Sequence, residues 1–142
     1  MFKNKHTITF VVALVLSQPA FGVESNLLSA AYIDTMNKVN IKAGIAFNEP
    51  YEYSEDRPHY YGSFKYIDFE LGLEGTKVSI GKGVQAGHGI DRIGISYAKF
   101  NTQDLAGIEA IISQMGMSIK LGYYAGLEDT DEKWLVGIGF GF

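Results

Sequence analysis

From residue 38 to its end the chain sets an apolar residue at every second position in one stretch after another, and that period makes the β-strand its building element. Val39, Ile41, Ala43, Ile45 and Phe47 alternate with Asn40, Lys42, Gly44 and Ala46. Ile67, Phe69, Leu71 and Leu73 alternate with Asp68, Glu70, Gly72 and Glu74, and Ile93, Ile95 and Tyr97 with Arg92, Gly94, Ser96 and Ala98. Met115, Met117, Ile119, Leu121, Tyr123, Ala125 and Leu127 form one face of a further segment. The last segment sets Trp134, Val136, Ile138, Phe140 and Phe142 against Lys133, Leu135, Gly137, Gly139 and Gly141. A soluble half-buried sheet alternates as well, but its second face is a solvated surface. Here the second face is largely Gly, Ala and Ser with isolated charges of both signs, which suits the narrow interior of a small barrel.

The segments 27–34, 38–47, 62–73, 76–86, 91–100, 106–113, 115–126 and 132–142 give eight strands. Most are about 10 residues long or slightly more, as a tilted membrane-crossing strand requires. Two are ambiguous. Leu27–Ile33 is apolar on both faces, and Asp104 followed by Leu105, Ile108, Ile111 and Ile112 also fits a capped helical turn. The expected fold is therefore all-β, an antiparallel up-and-down transmembrane β-barrel of eight strands. An even strand count puts the long 48–61 loop at the same end as both termini, whereas long loops in such barrels usually lie at the other end.

Residues 1–22 read as a secretory leader: Lys3 and Lys5, an apolar run from Ile8 to Leu16, and the small-x-small sequence Ala20-Phe21-Gly22. A run of nine residues is too short for a spanning helix, which needs about 20. Residues 23–142 then form one barrel domain. A net charge of -4 argues against a nucleic-acid partner, and the absence of cysteine removes disulfides, thiolate metal clusters and thiol nucleophiles. No cofactor or metal site is expected.

The C-terminus ends on Phe142, with Phe140 two positions before it and Gly137 five before it. This resembles the C-terminal insertion signal of small Gram-negative outer-membrane β-barrel proteins, although Leu135 stands where that signal prefers a polar residue. The resemblance implies a cell outer membrane location, surrounding outer-membrane lipid, and engagement of the barrel-assembly machinery through the last strand.

On the interior face the sequence places the charges Lys42, Asp68, Glu70, Arg92, Lys120 and Lys133. Buried charges need partners, so a salt-bridged plug is expected in place of an open pore. Lys82 shares a face with Val78 and Ile80, which calls for a bulge near Gly81 or a place at the membrane interface. Gly87 and Gly89 are expected in a turn. The loop with Glu49, Glu52, Glu55 and Asp56 lacks the fixed spacing of a calcium site. Catalysis would have to draw on His59 or His88 with Ser79, Ser96 or Ser118, and no motif joins them. The function expected is a structural or surface-interaction role without catalysis. A soluble periplasmic β-barrel holding a small apolar ligand is the alternative, and a lipid-modifying enzyme or a narrow passive channel lie beyond it.

Overall fold

A computed structural model describes residues 25–49, 55–56, 60–128 and 131–141; residues 1–24 with the expected leader, Phe142 and most of the 48–61 loop, His59 included, lie outside the described residues. The chain is a closed antiparallel barrel of eight strands in sequence order. These are β1 Ser25–Asp34, β2 Lys38–Asn48, β3 Tyr60–Gly72, β4 Gly75–Ala86, β5 Gly89–Phe100, β6 Gln103–Gln114, β7 Met117–Gly126 and β8 Glu132–Gly141. Both ambiguous segments are strands, and there is no helix among the described residues.

The register sets the barrel's dimensions. Following the pairs from Ser25 through Phe47, Lys65, Lys82, Ile93, Ala110 and Leu121 to Val136 returns to β1 at Thr35, ten residues along. Eight strands with that stagger tilt by about 40° and enclose a cylinder of roughly 8 Å radius, which side chains can fill. One rim carries the turns 35–37, 73–74 and 101–102 and the facing ends of β7 and β8. The other carries Ser25, Gly141, the C-terminal end of β2, the N-terminal end of β3 and the turns at 87–88 and 115–116. The ends of β2 and β3 that face the long connection thus lie at the same rim as Ser25 and Gly141, as the strand count requires.

Glycine explains how so narrow a cylinder holds aromatic rings. Among the described residues each of the five buried aromatic side chains lies directly across the ladder from a glycine: Tyr32 from Gly139, Phe64 from Gly83, Tyr66 from Gly81, Phe100 from Gly75 and Tyr124 from Gly107. A Cβ built at Gly83 would enter the Phe64 ring, and one at Gly139 the Tyr32 ring. The ring occupies the space its partner leaves empty.

Three glycines are placed differently from the sequence expectation. Gly116 is not in a strand: with Met115 it forms a two-residue turn, both at positive φ, the twist a tight hairpin needs. Gly75 and Gly89 begin strands instead of lying in turns, and a side chain on Gly89 would strike Gln114. The ladder runs unbroken past Gly81; the irregularity in β3–β4 lies between Tyr60 and Gly62, where Gly62 takes φ 131°. Lys82 accordingly stays on the outer wall.

Candidate functional site

The interior is more polar than apolar. Among the described residues fourteen polar or charged ones are buried against eleven hydrophobic ones, and nine of the hydrophobic ones gather in two clusters near the rims. Ala98, Phe100, Leu105, Tyr124 and Leu135, with Met36 against them, close the short-turn end. Leu28, Ala46, Phe64 and Tyr66, with Ile90, close the end that carries the termini. Between them lies a belt of ionised groups.

Glu109 on β6 accepts from Lys42 on β2 at 2.5 Å, from Lys77 on β4 and from the Tyr124 hydroxyl at 2.9 Å. Glu70 on β3 stands 2.9 Å from both Lys77 and Lys120 and 3.8 Å from Lys42. Lys120 also meets Asp34 at 2.5 Å. Asp68 is 3.5 Å from Lys42 and 3.3 Å from Arg92, whose guanidinium lies 5.5 Å from the Tyr66 ring centre. Among the described residues the buried set is Asp34, Asp68, Glu70 and Glu109 against Lys42, Lys77, Arg92 and Lys120, so four negative charges meet four positive. Desolvating ions is costly unless each is paired, and the one-to-one balance supplies that pairing. At the same time it locks seven strands together, with β8 contributing only glycines, Gly137 and Gly139, at that level.

The belt includes Lys42, Asp68, Glu70, Arg92 and Lys120 among the six charges picked out in the sequence. Lys133 is set apart: it is half-buried at the short-turn rim and donates to Gln103. Three members were missed. Lys77 shares a face with Ser79, which extends β4's polar side by one step. Glu109 was hidden because Leu105 and Ile111 also point inward, so β6 is apolar on both sides. Asp34 closes β1 and accepts from the backbone of Met36 at 2.9 Å and of Asn37 at 2.6 Å, a side-chain turn that Asp-x-x-Asn spacing foreshadows.

That turn folds over the mouth. Asn37 is fully buried, donates to Glu70 at 3.1 Å, and accepts from the backbone of Glu74 and Gly75 at 3.2 and 3.0 Å. Gly72 leaves it room. Ser79 bonds Ser96 at 2.8 Å and Ser113 bonds Ser118 at 2.8 Å. Among the described residues no hydrogen bond joins any of these serines to a histidine, and His88 sits exposed in the 87–88 turn. Of the C-terminal signal residues, Phe140 lies on the outer wall, and Gly137 faces inward, where an added Cβ would stand 2.6 Å from that of Asp34.

The outer wall is apolar. Ile33, Val39, Ile67, Phe69, Ile80, Ile93, Ile95, Ile108, Ile119, Leu121, Val136 and Ile138 are all exposed on it. Near the short-turn rim Tyr97, Tyr123 and Trp134 stand on the same wall, and the last two meet edge to face with centroids 5.0 Å apart.

These features define a small closed β-barrel protein with a charge-compensated interior. No protein-family model, curated protein or solved structure matches the chain.

Proposed function

We propose that the barrel is an integral protein of a Gram-negative outer membrane with a structural or surface-interaction role and no catalytic one. The observation that carries this reading is the inverted polarity: ionised groups fill the interior while Ile, Leu, Val and Phe side chains cover the outside. In water that arrangement would expose far more contiguous apolar surface than a monomeric protein tolerates. In a bilayer it is the favoured one, and a closed barrel leaves no strand edge unsatisfied in lipid. Ten-residue strands tilted by about 40° rise roughly 25 Å, the height of the apolar band of such barrels. Tyr97, Tyr123 and Trp134 sit where an aromatic belt meets the headgroups.

The soluble alternative needs an apolar cavity for its ligand. The middle of this interior instead holds eight paired charges, which give an apolar molecule no site. The same pairing favours a plugged lumen over a passive channel.

The test is fractionation of cells producing the full chain. The protein is expected in the outer-membrane fraction, retained through carbonate extraction, and migrating differently on gels before and after boiling. Recovery in the soluble fraction would overturn the reading.

A further inference from the structure

We infer that Lys65 and Lys82 hold the phosphate of an anionic lipid headgroup against the outer wall, near the rim that carries the termini. The two lysines are directly opposite each other on β3 and β4 and face outward, with side chains 65% and 68% exposed. Like charges in that position repel. Both ammonium groups nevertheless converge on one atom, Glu49 Oε1, at 3.9 Å each. That distance is too long for a hydrogen bond, and the other carboxylate oxygen is taken by the Ser63 hydroxyl at 2.5 Å. Among the described residues one carboxylate thus stands against two lysines, which leaves one positive charge over.

The opposite rim is built otherwise. There Lys99 faces Asp104 across the ladder at 3.8 Å, one charge against one. Asp91, on the outer wall of β5, makes no ion pair with either lysine among the described residues. Next to the lysine pair the wall continues as Ile67, Ile80 and Ile93, all exposed. A ligand that satisfies both halves has one anionic phosphate for the two ammoniums and an acyl chain for the isoleucines, which a phospholipid has and free phosphate lacks.

This inference rests on the membrane reading, and one experiment separates the two. The full chain is reconstituted into vesicles of phosphatidylethanolamine containing a minority of phosphatidylglycerol, and the lipid retained on release is counted by native mass spectrometry. Phosphatidylglycerol is expected to be enriched over its bulk fraction by roughly fivefold, the worth of one lysine near a charged surface. Lys65→Gln/Lys82→Gln should return the ratio to bulk, Lys99→Gln should keep it, and Glu49→Gln should raise it by removing the competing carboxylate. The altered gel mobility before boiling shows that each variant is folded.

Wild-type enrichment in the double variant, equal loss in Lys99→Gln, or displacement of the lipid by inorganic phosphate would each overturn the headgroup assignment. A barrel that floats with the vesicles without enrichment overturns this inference alone. A chain that fails to float overturns the membrane reading beneath it.

Discussion

At the scale of single residues, the barrel depends on glycines for volume and on ions for balance. Because each buried ring lies over a glycine, replacing that glycine is a collision within a ladder. Gly83→Val forces its branched side chain into the Phe64 ring, and overpacking of this kind costs about 1–3 kcal/mol. Urea unfolding of the refolded barrel should show a lower midpoint for Gly83→Val, whereas Val84→Ala on the outer wall should leave it nearly unchanged. Glu109→Gln leaves the lumen one cation in excess. Removing one partner of a buried ion pair costs about 3–5 kcal/mol, and adding Lys77→Met should recover part of that loss because the surplus charge goes with it. Equal stability of the single and double variants would contradict the balance argued for the belt. Individual interior charges such as Asp68 and Arg92 were legible from parity alone. The glycine-to-ring pairing was not, since it needs the register that sets Tyr32 against Gly139.

The strands themselves show where local sequence stops short. Six of the eight carry the two-residue period plainly, and their ends differ by no more than two residues between sequence and structure. β6 resisted because Leu105 and Ile111 belong inside and Ala106, Ile108 and Ile112 outside, and nothing local distinguishes the two sets. The β1–β8 seam is a product of closure. It pairs only Ala30–Asp34 with Gly137–Gly141, five positions where every other ladder has at least nine. Thr35 reinforces it: its hydroxyl donates to the Trp134 carbonyl at 3.1 Å and accepts from the Val136 amide at 3.1 Å, and its own amide bonds the Val136 carbonyl at 3.0 Å. Thr35→Val removes both side-chain bonds and should lower stability by roughly 1–3 kcal/mol. Hydrogen exchange should find the amides of residues 25–29 that point away from β2 among the fastest of the ladder, and Thr35→Val should extend fast exchange to residues 30–34. Uniform protection along β1 would show that the seam is not the weak joint.

For the whole molecule, the decisive property is which side of the closed sheet each face occupies. If the lumen is the plug its paired charges describe, planar-bilayer recordings of the reconstituted barrel should show no stable open level. Asn37→Gly, which removes the side chain folded over the short-turn mouth, should add at most brief openings. Steady conductance in the unaltered protein would contradict the plug. The sequence by itself determined strand type, strand number within the ambiguity of two segments, and the identity of the two faces, because alternation is a local property of an extended chain. Only the tertiary structure decided the stagger of ten, the four-against-four belt, the turn tucked over the mouth and the lysine pair converging on Glu49. Each of these is a relation between residues far apart in the chain, and strand pairing alone brings them within range of one another.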